Sequence, residues 1–227
     1  VIASYQATLE DGKFTCPGLP AAYAGANPSK PCYLDLGKEL GAGQPQSNFV
    51  FYEDSAFVKP AKGATAMGLL VGSYFNRAYD HFCSHFQTPY DKKTQYPVAV
   101  LKGRVAYIAP AVFKAYREHA YYLYKAIVAR LLDVLLPDPM VKVKAPSAME
   151  VSVNHQAKEK RLVAHLVNFQ PQRRHINVEW IEELYPVQDI SLSVRTVKTP
   201  GAVYLAPDRE LLSFRMIGNY CELEVPE

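Results

Sequence analysis

The sequence of 227 residues lacks most of the features by which common function classes are recognised. No apolar run approaches the ~18 residues that a membrane-spanning helix needs, so no membrane span is predicted. The GxSxG, HExxH, P-loop and GxGxxG patterns are absent as well. Their absence argues against metalloprotease, phosphoryl-transfer and dinucleotide-binding roles. We therefore predict no cofactor.

The chain also lacks a strong charge of either sign. Its formal net charge is +3 and its pI is about 8.5, and the basic residues are scattered. The tightest basic group, 172–175, is too short to form a patch, so the sequence predicts no nucleic-acid partner. At 49% hydrophobic and 21% charged residues, the composition is typical of a globular chain with a buried core.

Cysteines are few and widely spaced, and none forms a CxxC pair. The four are Cys16, Cys32, Cys83 and Cys221. This spacing favours buried or half-buried free thiols over a disulfide framework. A disulfide between Cys16 and Cys32 stays open, because spacing alone cannot establish one.

The sequence opens with Val1-Ile2-Ala3, without an initiator Met or a signal peptide, and these residues read as a strand. We expect the chain to be part of a longer polypeptide, with any targeting segment outside it. The sequence does not choose between cytoplasm and periplasm.

The first part of the chain predicts turns, short strands, a hairpin and a long helix. Residues 9–45 are rich in Gly, Pro, Ala and Asn, which indicates turns with one helical turn at 34–40. Further strands are expected at 1–5, 48–53 and 64–72.

Two clearer elements follow. Residues 98–101 and 105–108 flank Lys102-Gly103-Arg104, a pattern typical of a hairpin. Apolar residues then recur at three- and four-residue steps over 111–136, which predicts one helix that Pro137 ends.

The second part changes to a period of two. Residues 138–147 are predicted to be a linker, and short strands are expected at 149–153, 162–169, 190–194, 202–205, 211–216 and 221–225. This spacing favours a small antiparallel β-sandwich. The predicted domains are therefore residues 1–140 and 145–227.

The segment from Tyr74 to Phe113 concentrates the polar and aromatic side chains that carry chemistry. His81 and His85 stand four residues apart with Cys83 between them, but no further cluster completes a zinc site. We predict no metal site, and interpret these residues as packing at an interface or lining a sugar pocket.

No pair of carboxylates stands out for glycoside hydrolysis, which needs two acids at a defined separation. Glu182 and Glu183 are adjacent, so a strand would point them to opposite faces. We predict no catalytic residue in this chain.

Several short strings occur in an order that resembles the downstream half of bacterial multidomain glycoside hydrolases. They are Tyr23–Pro28, Tyr74–Arg77, His81–His85, Thr88-Pro89, Tyr96-Pro97, Leu135–Pro137, His165–Phe169, Gln172–Arg174 and Val203–Pro207. The resemblance is to family-151 α-L-fucosidases, with family-42 β-galactosidases as more distant relatives.

The resemblance implies an architecture. These enzymes have an N-terminal catalytic barrel, a glutamine-amidotransferase-like domain called the β-galactosidase trimerisation domain, and a C-terminal β-sandwich. The implied fold class is α/β plus all-β, with a partial flavodoxin-like α/β domain followed by the sandwich. The catalytic carboxylates would lie on the barrel, which this chain lacks. The implied partners are a carbohydrate substrate, bound through the parent enzyme, and further copies in a dimer or trimer.

The expected site is a substrate rim or a subunit interface. It comprises Asn76, Arg77, His81, Phe82 and His85. Arginine and imidazole can donate to sugar hydroxyls, phenylalanine offers an apolar face, and loops on rigid scaffolds commonly carry binding residues. The function expected is assembly and rimming of the active site in an α-L-fucosidase. A β-galactosidase region and a stand-alone carbohydrate-binding or structural module remain as alternatives.

Overall fold

A computed structural model describes residues 1–5, 9–169, 172–175, 177–180, 183 and 185–226, with the backbone alone at 172–175 and 179. The described chain is mostly β, with few helices and several sheets. It divides into two compact units, 1–137 and 138–227. Within the described residues, no helix is long and apolar enough to cross a membrane.

The first unit contains twelve short strands and three helices among its described residues. The strands are β1 (Ile2–Ser4), β2 (Leu9–Glu10), β3 (Lys13–Phe14), β4 (Ala21–Ala26), β5 (Cys32–Asp35), β6 (Asn48–Phe51), β7 (Ala56–Pro60), β8 (Thr65–Met67), β9 (Leu69–Ser73), β10 (Tyr90–Lys93), β11 (Ala99–Lys102) and β12 (Val105–Ile108). The helices are α1 (Gly37–Leu40), α2 (Val112–His119) and α3 (Tyr122–Leu135).

Two four-stranded sheets organise this unit, in the orders β1-β12-β11-β8 and β10-β9-β5-β6. Strands β2 and β3 pair separately, as do β4 and β7. The pairing of β1 with β12 is parallel, whereas the other pairings in both sheets are antiparallel.

The predicted hairpin is confirmed. Strands β11 and β12 pair antiparallel from Ala99↔Ile108 to Lys102↔Val105. Gly103 has φ +56° in the turn, a backbone conformation that glycine adopts without the steric cost of a Cβ.

The segment 9–45 is more regular than its composition predicts, since it contains β2 to β5. Strand β5 lies inside a sheet, where β6 and β9 pair with its two edges, and Cys32 and Leu34 are fully buried. These partners come from later in the chain, so the local Gly and Pro content concealed the strands. All four cysteines are free, so Cys16 and Cys32 form no disulfide.

Gly68 divides the strand predicted over 64–72 into β8 and β9. Its φ is +63°, and a Cβ at this position would lie 2.7 Å from the backbone oxygen of Asp35. The chain therefore turns here into a different sheet, and the position requires glycine.

The single helix predicted over 111–136 is wrong, because Ala120 separates α2 from α3. Ala120 has φ +48° in the left-handed region, and its N–H donates to the carbonyl of Tyr116 to end α2. Glycine usually occupies such a position, so the alanine gave no signal of a break.

Helix α3 buries its apolar face in the core of the first unit. Leu123, Ile127 and Leu131 are fully buried there, and the ring of Tyr124 packs edge-on against Phe51 with 5.4 Å between centroids. This core includes residues of both four-stranded sheets and of helices α2 and α3.

In the described part of the second unit, all of the secondary-structure elements are strands. They are β13 (Val141–Lys144), β14 (Met149–Gln156), β15 (Arg161–Asn168), β16 (Gln172–His175), β17 (Val178–Trp180), β18 (Ile190–Arg195), β19 (Tyr204–Leu205), β20 (Glu210–Leu211), β21 (Arg215–Ile217) and β22 (Tyr220–Val225). Strand β13 lies in the stretch predicted to be a linker, and the strand predicted at 211–216 is divided between β20 and β21.

A four-stranded antiparallel sheet in the order β13-β18-β22-β21 carries the core of this unit. Along β18 every second residue is buried, namely Ile190, Leu192 and Val194, which confirms the period of two. Strands β14 and β15 form a separate long hairpin. The side chains of the basic group 172–175, and Glu182, lie outside the described residues.

Candidate functional site

The predicted site residues lie on the loop of residues 74–89 that joins β9 to β10, hereafter the β9–β10 loop. The flanking strands pair at Ser73↔Tyr90, and the N–H of Tyr74 donates to the carbonyl of Pro89 over 2.8 Å. Because the two ends of the loop are held together, its middle projects as a compact surface excursion.

Asn76 anchors the start of this loop to a segment remote in sequence. Its Nδ2 donates to the carbonyl of Pro28, and its Oδ1 accepts from the backbone N–H of Lys30, each over 2.7 Å. The side chain predicted to face a substrate or a partner thus binds the backbone beside it.

Thr88 anchors the other end. Its side chain is buried, and Oγ1 donates to the carbonyl of Phe75 over 2.7 Å. The hydroxyl of Tyr33 donates to the carbonyl of Thr88. Burial raises the pKa of Tyr33 above its ordinary value, so the phenol stays a neutral donor.

An open cleft of about 520 Å³ lies between the loop and neighbouring segments. It is lined by Lys30, Pro31, Tyr52, Arg77, Ala78, Phe82 and Phe86. Two of the predicted site residues, Arg77 and Phe82, are therefore brought together, while Asn76, His81 and His85 lie outside the lining.

Aromatic rings surround the guanidinium of Arg77. Its Cζ lies 5.1 Å from the ring centroid of Phe82 and 5.9 Å from that of Phe86, both cation–π distances. Phe86 in turn packs 5.2 Å from Tyr52, whose hydroxyl donates to Oε1 of Gln87 over 3.1 Å. Arg77 is exposed, and no hydrogen bond or ion pair within the described chain occupies its N–H groups, so they are available to a ligand.

Lys30, the other cation in the cleft, is already paired. Its ammonium group forms an ion pair with the carboxylate of Asp54. The hydrogen bond to Asp54 raises the pKa of Lys30 above its ordinary value, so the amine is charged at neutral pH. The carboxylate offsets that charge locally.

The two histidines take different positions. The imidazole of His81 packs 5.8 Å from the ring of Phe75, with Nδ1 3.7 Å from the carboxylate of Asp80. The side chain of His85 is exposed and has no hydrogen-bond partner in the described chain, while its carbonyl accepts from the thiol of Cys83. Across the described ranges, no group of three or more His, Cys, Asp and Glu side chains is placed to hold a metal ion.

Sequence reasoning missed Lys30, Tyr52 and Phe86 as lining residues. Phe86 lay within the aromatic segment already singled out. Lys30 and Tyr52 belong to β4–β5 and β6–β7 connections, and only the pairing of distant strands brings them to the loop.

The fold is similar to that of one solved enzyme structure, alpha-L-fucosidase isoenzyme 2 from Paenibacillus thiaminolyticus. The TM-score is 0.87 and the identity is 28%, over 99% of this chain and 34% of that one. No family model and no curated protein matches the chain. Over nearly its whole length, the chain is thus similar to about a third of a bacterial α-L-fucosidase.

Proposed function

We propose that this chain is the non-catalytic assembly and active-site-rimming region of a glycoside hydrolase, an α-L-fucosidase. The observation that carries the proposal is the likeness to a bacterial α-L-fucosidase over 99% of the chain at 28% identity.

The proposed architecture places a catalytic barrel elsewhere in the full-length protein. The first unit would be part of an amidotransferase-like, flavodoxin-like domain of the β-galactosidase trimerisation type, and the second a small β-sandwich, as in family-151 fucosidases. The parallel pairing of β1 with β12, followed by α2 and α3, supports the first assignment. The four-stranded antiparallel sheet supports the second.

The proposed partners are a carbohydrate substrate and further copies of the same protein, in a dimer or trimer. The exposed aromatic side chains on the β9–β10 loop support the proposal that a partner covers this part of the surface. Tyr74, Phe82 and Phe86 are each about 70% exposed, and Tyr79 is fully exposed.

Hydrolysis assays test the activity. We expect the full-length protein to hydrolyse nitrophenyl α-L-fucoside in preference to nitrophenyl β-D-galactoside, and the 227-residue chain to hydrolyse neither. Preferred hydrolysis of the galactoside would point to a β-galactosidase instead. Turnover by the purified chain alone would refute its non-catalytic role.

A pair of substitutions in the full-length enzyme tests the rim. Phe82→Ala removes a lining ring, and we expect it to lower kcat/KM while Tm is unchanged. Phe113→Ala, which removes another exposed phenylalanine on α2, serves as the control. Equal kinetics for the two variants and the parent enzyme would mean that the cleft does not border the substrate.

A further inference from the structure

The side chains that line the cleft offer mainly hydrogen-bond donors and aromatic faces, and the hydroxyl of Tyr52 is the one polar group among them that can also accept. Arg77 and Lys30 contribute only N–H groups, and none of the lining side chains is a carboxylate or an amide. A neutral sugar hydroxyl both donates and accepts, so a site built for it commonly supplies both kinds of partner. This lining is better matched to a group that only accepts.

Charge points to the same class of ligand. The ammonium of Lys30 is paired with Asp54, but no carboxylate pairs with Arg77 in the part of the chain that the structure describes. A guanidinium supplies two parallel N–H donors at the spacing of carboxylate or sulfate oxygens. Arg77 is therefore the group in the cleft that is free to bind an anion.

The rings and the size of the cleft favour an anion carried on a sugar. Phe82 and Phe86 flank Arg77 and are about 70% exposed, so an apolar face of a pyranose can pack on them beside the bound charge. A volume of about 520 Å³ lies within the range of small-molecule sites.

We propose that the cleft is a subsite for an acidic sugar, one bearing a carboxylate or a sulfate, with Arg77 as the anion-binding residue. In the parent glycosidase this subsite would recognise a charged unit of the glycan next to the sugar that is cleaved. That role rests on the proposed function, whereas binding of the acidic sugar itself does not.

Calorimetric titration of the 227-residue chain at low ionic strength tests the inference. The probes are methyl β-D-glucuronide, the neutral methyl β-D-glucoside, a sulfated methyl glucoside and sodium sulfate. We expect the glucuronide to bind about tenfold or more tightly than the glucoside. If the sulfated sugar also binds tightly, the ligand class includes sulfate esters. If the sulfated sugar does not bind, the ligand class is restricted to carboxylates.

Arg77→Gln should abolish the preference for the charged sugar. Arg104→Gln should keep it, because Arg104 is an exposed arginine in the turn between β11 and β12, outside the cleft. Equal Tm values for both variants would show that the fold is intact, and Phe82→Ala should weaken binding of the glucuronide but not of sodium sulfate.

The inference would be overturned by no binding of the glucuronide, by equal binding of glucuronide and glucoside, or by a preference that survives Arg77→Gln. Sodium sulfate binding as tightly as the glucuronide would show that the sugar ring contributes nothing, which also contradicts it. Fucoside hydrolysis by the full-length protein is measured in a separate assay. Absence of hydrolysis would contradict the proposed function, whereas absence of glucuronide binding would contradict the subsite.

Discussion

The carboxylate of Glu53 and the imidazole of His119 meet with 3.3 Å between Oε1 and Nε2. Glu53 follows β6 and His119 ends α2, so the contact joins a strand end to a helix end. Lys114, five residues earlier on α2, places Nζ 2.7 Å from Oε2 of the same carboxylate, whose side chain is only 16% exposed.

These contacts predict how stability depends on pH. The hydrogen bond from Lys114, and more weakly that from His119, lowers the pKa of Glu53. A lowered pKa means that the stabilisation is present above the unfolded value, about 4.3, and is lost as pH falls through the folded value. We expect Glu53→Gln to lower Tm at pH 7, with a smaller difference from the parent chain at pH 3.

Glu39→Gln is the matched control, because Glu39 is an exposed glutamate of the same unit whose carboxylate has no partner among the described residues. Its Tm should follow that of the parent chain at both pH values. An equal effect of the two substitutions at pH 7 would contradict the assigned role of Glu53.

Adjacent leucines on α3 test the buried face of the helix. Leu131 is fully buried, whereas Leu132 is 47% exposed. Leu131→Ala should reduce the free energy of unfolding by about 2–5 kcal/mol, because it removes buried methyl groups and leaves a cavity. Leu132→Ala should change it by less than about 0.5 kcal/mol. Urea unfolding of both variants measures the difference, and similar losses would mean that the helix is oriented differently.

The break between α2 and α3 predicts opposite effects of one substitution at two alanines. Ala120 has φ +48°, so Ala120→Gly should stabilise the chain by roughly 0.5–1 kcal/mol, since glycine relieves the left-handed strain. Ala129→Gly, at an exposed position inside α3, should destabilise it by about 1 kcal/mol. Destabilisation by both would indicate a continuous helix.

The anchor and the middle of the β9–β10 loop should respond differently to mutation. Thr88→Val keeps the shape of the side chain but leaves the carbonyl of Phe75 without its donor, and should cost about 1 kcal/mol of stability. His85→Ala should change stability by less than about 0.5 kcal/mol, because the exposed imidazole has no hydrogen-bond partner in the described chain. Under the proposed function, a lower kcat/KM of the full-length His85→Ala protein with an unchanged Tm would indicate that His85 borders the substrate, while a lowered Tm would mean that His85 packs the fold.

Local sequence patterns correctly predicted those elements of secondary structure that neighbouring residues determine. The hairpin around Gly103 and the alternation along β18 follow from turn residues and side-chain period. Strands β4 and β5 were missed because partners far along the chain stabilise them against their own composition. The break at Ala120 was missed because alanine favours helix and nothing local marks the left-handed residue.

The candidate site, too, was predicted from the sequence only in part. Its density of aromatic and polar residues identified the β9–β10 loop and two lining side chains, Arg77 and Phe82. The cleft itself also needs Lys30 and Tyr52, which reach the loop only through the sheet order β10-β9-β5-β6. The spacing of these residues along the sequence does not indicate that they lie close together in the fold.

The β9–β10 loop is fastened close to its two ends, by Asn76 at one and Thr88 at the other. The sequence of residues 77–86, between these two anchoring residues, can therefore change, or be exchanged as a block between homologues, without altering the strands that flank the loop. Grafting that block while keeping Asn76, Thr88 and Tyr33 unchanged would alter the surface of the cleft and leave the contacts that support the loop in place.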